Sequence, residues 1–384
     1  MFFKVRIGTG NESDAKASHS ITMKHLLSII LIALSSTVIA ADYPTAKTET
    51  VCNLASSKEY PRHSEGDFVK LNDGRIMFVY SRYNGSSNHD DAPANLVAIY
   101  SSDNGKTWSE PETIVTRPEG SLNVMSVSTL RLKDGRLALF YLDKHTRQDC
   151  RPCIRYSTDE GKTWSEPTHC ITDQVGYYVM NNSRILQLDD GTLLIPVALH
   201  NLPNERFNRN AKMFCYISKD AGKTWVRSGE AANPDPQKIA FQEPGLIALS
   251  DGRIMMYIRA DAGCQFVSYS SDGGTTWTEA VKSPFVSPLA PMTLQHIPGS
   301  NNILAVWTED KAERNPLVIA VVNEKLEFIS KQILDKSDPD PARWYCYSAI
   351  LPLDNNRFLI SYCAGLRMNW GLDTTKIVIV DMSE

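Results

Sequence analysis

The string Ser-x-Asp-x-Gly-x-Thr-Trp occurs four times, at Ser101–Trp108, Ser157–Trp164, Ser218–Trp225 and Ser270–Trp277. Its tryptophans stand 56, 61 and 52 residues apart (164−108, 225−164, 277−225). A period of that size suits one four-stranded sheet per repeat. A second repeat runs in phase with the first: Leu71-Asn-Asp-Gly-Arg75, Leu132-Lys-Asp-Gly-Arg136, Leu188-Asp-Asp-Gly-Thr192 and Leu249-Ser-Asp-Gly-Arg253. Each sets an Asp-Gly turn beside apolar strand residues, the strongest short-range hairpin signal. Weaker copies at Ile297–Ile303 and Leu353–Arg357 bring the count to six units. No amphipathic helical period of useful length interrupts them.

A lone four-stranded sheet has two open edges and little core, whereas sheets stacked radially bury one another's faces. The repeats therefore predict an all-β, six-bladed β-propeller, with residues 41–384 as one domain. Residues 47–55 and Lys376–Asp381 are both strand-like, so the two ends are expected to pair. Within each Ser-x-Asp-x-Gly-x-Thr-Trp string, the Asp can cap turn amides, the Gly permits positive φ and the Trp packs beneath. These residues are read as a hairpin device and not as ligands.

Lys+Arg is 40 and Asp+Glu is 44, a net charge of −4. That balance gives no electrostatic case for nucleic acid or an anionic membrane surface. An acidic ligand would have to be met by a local cluster of cations. Met23-Lys24-His25, the apolar run Leu26–Leu34 and Ser35–Ala40 have the form of a secretory signal cleaved after about Ala40. Residues 1–22 are polar and read as an over-extended start, so 1–40 are set apart from the mature domain. The apolar run is shorter than the ~20 residues a membrane span needs. A secreted or periplasmic protein without a membrane span in its mature chain is expected. Eight cysteines fit an oxidising compartment. Cys150-Arg-Pro-Cys153 lacks two further zinc ligands at similar spacing, and reads as a local disulfide or as free thiols.

The four Trp-ending strings are the Asp-box signature, and the chain from residue 41 onward resembles the sialidase (neuraminidase) superfamily. Gln242-Glu-Pro-Gly-Leu246, followed by Arg259, is similar to the family segment in which a catalytic Glu precedes a carboxylate-binding Arg by sixteen residues; here 259−243 = 16. Tyr347-Ser348 resembles the segment whose tyrosine is the nucleophile, with Tyr345, two residues away on the same strand face, as its local competitor. The polar loop Asn88-His-Asp-Asp-Ala-Pro-Ala-Asn95 resembles the one that carries the general acid/base, which implies Asp91, with Asp90 as the alternative. Arg62 takes the place of the family's first triad arginine, although Arg62-His63-Ser64 stands where the family reads Arg-Ile-Pro. Arg314 resembles the third, with Arg343 in reserve, and the Asp box expected after it is degenerate at Asn323–Leu326. Arg82 is expected among the substrate-binding residues. His63, Arg184, Asn181 and Asn182 are further candidates for the pocket wall.

What this resemblance implies is an exo-α-sialidase that removes terminal sialic acid from sialylated glycans with retention. Three arginines offer permanently charged planar forks to a carboxylate. A carboxylate nucleophile would be repelled by the substrate's own carboxylate, and a tyrosine is not. Its phenol, ordinarily near pKa ~10, needs a base, the role that falls to Glu243. The reaction calls for no metal or organic cofactor. The alternatives are action on another acidic sugar, or a non-catalytic glycan-binding propeller, which would be favoured if Tyr347 and Glu243 did not meet. The oligomeric state is not legible.

Overall fold

The computed structural model describes residues 46–339 and 341–383. The signal-like segment 23–40 lies outside them. Strand β1 (Lys47–Leu54) is followed by the first sheet, β2 (Arg62–Lys70), β3 (Ile76–Tyr83), β4 (Ala94–Ser101) and β5 (Glu112–Val115). The second holds β6 (Asn123–Arg131), β7 (Leu137–Lys144), β8 (Cys150–Ser157) and β9 (Thr168–His169). The third holds β10 (Tyr177–Val179), β11 (Leu186–Gln187), β12 (Leu193–Asn201), β13 (Lys212–Ser218) and β14 (Val226–Ala231). Then come β15 (Phe241–Ala248), β16 (Ile254–Ala260), β17 (Cys264–Ser270) and β18 (Val281–Val286), and next β19 (Thr293–His296), β20 (Ile303–Thr308), β21 (Leu317–Val322) and β22 (Phe328–Asp335). The sixth sheet is β23 (Arg343–Pro352), β24 (Arg357–Leu366) and β25 (Thr375–Asp381), completed by β1. All six are antiparallel meanders, as expected of a propeller. One parallel pair, Tyr177 with Cys150, links the second and third sheets edge to edge.

The expected pairing of the chain ends is present: β1 runs antiparallel to β25 from Lys47–Asp381 to Leu54–Thr375. Packing follows the same order. On β7, Leu137, Leu139 and Tyr141 join the cluster shared with the first sheet, while Ala138, Phe140 and Leu142 join the one shared with the third. A strand buried on both faces must read as a continuous apolar run, and β7 does. Successive clusters join each sheet to the next, and the sixth packs on the first through Leu359 and Ile377 against Phe78 and Ile99. Among the described residues, no helix is long and apolar enough to cross a membrane.

The Asp-box residues stay within their hairpins. Asp159 accepts from the Thr163 amide at 2.9 Å and its hydroxyl at 2.6 Å, and Ser157 Oγ accepts from the Gly161 amide at 2.8 Å. Trp108 Nε1 donates to the Gly105 carbonyl at 3.0 Å. Every strong acceptor in the motif is used locally, which leaves none for a ligand.

No disulfide is formed among the described residues, which include all eight cysteines. Cys150 and Cys153 are three apart on β8, so alternation sends them to opposite faces. Cys150 packs with the third sheet and Cys153 with the first. Of the two sequence readings, the local disulfide is excluded and free thiols remain.

Gly245 on β15 lies under the Tyr257 ring, where a Cβ would fall 2.2–2.5 Å from two ring carbons and the hydroxyl oxygen. Tyr257 is fixed by its own bond from Arg184 Nη1 at 3.0 Å and cannot swing aside freely. Gly245→Ala is expected to destabilise the fold by about 1–3 kcal/mol through overpacking, read as a lowered midpoint in denaturant unfolding.

Candidate active site

Four innermost strands share one irregularity. The register slips between Ser64 and Asp67 on β2, Met125 and Ser128 on β6, Gln242 and Pro244 on β15, and Cys346 and Ala349 on β23. At each slip one non-glycine residue has positive φ: Glu65 at 57°, Ser126 at 59°, Glu243 at 39° and Tyr347 at 52°. A bulge adds a residue to one strand and re-aims its side chain, and left-handed backbone at such residues is a strain that concentrates at functional sites. All four line one cavity of about 700 Å³, together with Arg62, Arg259 and Arg314. The three arginines expected to form a triad thus converge on one space.

The bulge also separates the two tyrosines. Alternation alone puts Tyr345 and Tyr347 on one face. The extra residue turns Tyr347 into the cavity, while Tyr345 remains in the apolar interface with the fifth sheet and donates to Asp335 at 3.1 Å. The expectation of a shared face is corrected, and Tyr345 is no competitor.

Tyr347 Oη donates to Glu243 Oε1 at 3.2 Å. Arg259 Nη1 donates to Glu243 Oε2 at 2.6 Å and stands 3.5 Å from the same phenol oxygen. The β15–β16 hairpin sets this up, because Gln242 faces Arg259 across the ladder and the bulge brings Glu243 back beside it. Burial, and then the charge of Glu243, push the Tyr347 phenol well above its ordinary value against the pull of Arg259 and Arg314. The resting side chain is a neutral phenol poised on a base.

Arg62, 1% exposed, donates to Asp90 Oδ1 at 2.6 Å, Glu65 Oε2 at 3.2 Å and Ser64 Oγ at 2.9 Å. Burial raises the Glu65 carboxyl above its usual value despite Arg62. Asp90 is crowded by the cavity wall, which acts to raise its carboxyl, but the charge and hydrogen bond of Arg62 outweigh this and hold it below the ordinary value. Its side chain is nevertheless 60% exposed, and it lines the cavity. Asp91 faces elsewhere. It meets Lys144 Nζ at 2.6 Å and Arg147 at 2.5 Å, is not among the lining residues, and is held low by those cations against its partial burial. Where the sequence reading preferred Asp91 at the cavity, the loop presents Asp90.

Arg314 donates to the Leu289 carbonyl at 3.1 Å and lies 5.6 Å from the Trp344 ring. Arg82, expected to bind substrate, is outside the lining: it projects from the second strand of its sheet and lies 4.1 Å over the Tyr60 ring. His63 packs on Tyr80, and Arg343 donates to the Ala364 carbonyl. Arg184 is buried, donating to Tyr257, Thr293 and the Met292 carbonyl. Asn182 donates to Gly66, Tyr347 and Ser348 carbonyls, tying three sheets together beneath the cavity. Of the further wall candidates His63, Arg184, Asn181 and Asn182, only Asn181 lines the cavity.

Glu65, Ser126, Tyr177 and His200 line the cavity without having been singled out in the sequence. Only Glu65 left a local trace, an acid three residues after Arg62. The mouth is aromatic: Phe207 stacks on His200 at 4.5 Å and 11°, and Trp344 meets Trp370 at 5.7 Å. Chemically, the cavity offers a guanidinium cluster for an anion, a phenol held on a carboxylate, and a second acid at the mouth.

Known proteins agree with this architecture. A sialidase of Clostridium perfringens is 29% identical over 232 residues, covering 54% of this chain and 58% of that protein. The chain thus spans little more than half the length of that relative. A protein of unknown function from Dyadobacter fermentans DSM 18053 superposes with a TM-score of 0.68 at 21% identity, covering 88% of this chain and 99% of that one. The NanB sialidase from Streptococcus pneumoniae gives a TM-score of 0.66 at 15% identity, covering 87% and 70%. At such identities these structures establish the propeller fold. The model of the BNR repeat-like domain matches residues 89–362, and the chain belongs to that family.

Proposed function

We propose that this chain is an exo-α-sialidase that hydrolyses terminal sialic acid from glycans with retention, through Tyr347 as nucleophile. The observation that carries the proposal is the Tyr347 hydroxyl resting on Glu243 at 3.2 Å, with Arg259 beside both. A phenol bonded to a carboxylate at the floor of a guanidinium-lined cavity has little use in a protein that only binds glycans. The sialidase relative supports the substrate class, and segment 23–40 supports export.

In this reading Arg62, Arg259 and Arg314 take the substrate carboxylate. As Tyr347 attacks the anomeric carbon, Glu243 accepts its proton, and Arg259 stabilises the phenolate character that develops. Asp90 protonates the departing glycosidic oxygen and later draws a proton from the water that cleaves the tyrosyl glycoside. Before substrate arrives, Arg62 keeps Asp90 ionised. A carboxylate bound to Arg62 weakens that hold and adds a negative charge nearby. Both changes raise the Asp90 pKa, so the acid is armed by the substrate.

Fluorophore release from a 4-methylumbelliferyl α-sialoside, and sugar release from sialylated oligosaccharides, are the direct assays. Absence of release from every α-sialoside overturns the proposal. Asp90→Asn is expected to slow oligosaccharide hydrolysis by roughly 10²–10⁴-fold. The first step on the umbelliferyl substrate, whose leaving group needs no proton, should be slowed far less. Asp91→Asn should stay within about tenfold of wild type on both, because its carboxylate serves Lys144 and Arg147. The reverse ranking would return the acid/base role to Asp91.

A further inference from the structure

Away from the floor of the cavity, the second sheet gathers a second set of reactive groups. Asp143 on β7, Cys153 on β8 and His169 on β9 each offer a donor atom, and the three atoms lie within 4.8 Å of one another. The register explains why. Cys153 pairs with Tyr141 on one side and His169 on the other, and Asp143 is two residues beyond Tyr141, so all three side chains leave the same face. Cys153 Sγ and His169 Nδ1 are 3.2 Å apart. Asp143 Oδ1 is buried and has no hydrogen-bond partner among the described residues. A thiol–imidazole hydrogen bond would account for two of these groups and leave the buried carboxylate oxygen orphaned, a cost proteins rarely carry.

We infer that Asp143, Cys153 and His169 form a structural site for a divalent transition metal of the zinc class. Sulfur, imidazole nitrogen and carboxylate oxygen are the donors such an ion takes, and three protein ligands leave a fourth position for water. Binding converts the Cys153 thiol to a metal thiolate and releases one proton to solvent, with no change of oxidation state. The neighbouring Arg151 does not oppose the ion with a free charge, since it is paired with Asp149 at 2.7 Å. The site lies at the cavity end of β7. Asp143 is followed directly by Lys144, whose Nζ reaches Asp91 at 2.6 Å and the Asp90 carbonyl at 3.1 Å. An ion there crosslinks three strands next to Lys144 at the end of β7 and the turn that carries Arg147, and so holds the acidic loop in place without entering the reaction.

The test uses the untagged full chain, stripped with a chelator and titrated with Zn²⁺ or Co²⁺ alone. One equivalent of Co²⁺ should bring up a near-ultraviolet thiolate charge-transfer band, and one equivalent of Zn²⁺ should raise the melting temperature by several degrees. Cys153→Ser should abolish the band. His169→Ala and the isosteric Asp143→Asn should each weaken Zn²⁺ binding by more than about tenfold, while circular dichroism confirms that the variants remain folded. Sub-stoichiometric binding, a Co²⁺ spectrum without the thiolate band, or binding unaltered in folded variants would each show a plain Cys–His hydrogen bond and overturn the inference. None of these readouts depends on sialidase activity.

Discussion

Replacing Tyr347 by Phe is expected to lower kcat on any α-sialoside by on the order of 10³-fold or more, the scale on which a covalent nucleophile is lost. Two features of the cavity make this substitution a clean probe. The ring packs against Cys346, Cys363 and Leu372, contacts that Phe retains, so the fold should be nearly undisturbed. The hydroxyl gives up its bond to Glu243 and a long 3.5 Å contact from Arg259, while Glu243 and Arg259 keep each other at 2.6 Å. Affinity for an unreactive sialic acid analogue should therefore stay within a few fold, because the arginines that read the carboxylate are untouched. A loss confined to kcat is the signature of an interaction made on the way to the transition state. Tyr345→Phe provides the control: its hydroxyl serves Asp335 inside the sheet interface, so catalysis should persist. Activity of Tyr347→Phe within tenfold of wild type would remove tyrosine from the mechanism.

The contrast between those two tyrosines shows where the sequence was legible and where it was not. Repeats fix the architecture because a hairpin is a local object. Asp-Gly turns, Asp boxes and alternating apolar residues mark themselves within a few positions, and six of them leave few ways to bury both faces of each sheet. The pairing of β1 with β25 followed from the same pattern. Glu243 and Arg259 could be joined from the sequence because one hairpin carries both. Bulges leave no such mark. Tyr347 sits where period-two alternation fails, and nothing in Tyr345-Cys-Tyr-Ser348 signals that an extra residue enters at that point. Glu65 and Ser126 reach the cavity by the same device and were missed for the same reason. Asp90 and Asp91 are adjacent in a loop, and which one faces inward depends on partners 28 and 53 residues away in sequence (90−62 and 144−91), Arg62 and Lys144. Zinc-type spacing does not reveal His169 beside Cys153, because it arrives across a sheet edge, on a strand of two residues.

Glu243→Gln carries the second large effect, an expected fall of about 10²–10⁴-fold in kcat, the range for loss of a general base. Glutamine keeps the volume and leaves an oxygen for the Arg259 guanidinium, but it cannot accept the phenol proton. The residual rate should then follow the small population of Tyr347 phenolate, and this gives the variant a distinct pH profile. Burial, and then the charge of Glu243, are what push the phenol up in the native site, while Arg259 pulls it down. Removing the glutamate charge lowers that pKa without cancelling the effect of burial. Below the phenol pKa, phenolate grows about tenfold per pH unit. On the umbelliferyl sialoside, which does not need Asp90 in its first step, the rate of Glu243→Gln should therefore climb steeply through neutral and mildly alkaline pH. The wild type, with its base built in, should show no such climb. In the Tyr347→Phe background Glu243→Gln should cost almost nothing further, since a base without its nucleophile has no proton to take. A flat pH profile for Glu243→Gln, or full additivity in the double variant, would mean that Glu243 orients Arg259 and does not serve as the base for Tyr347.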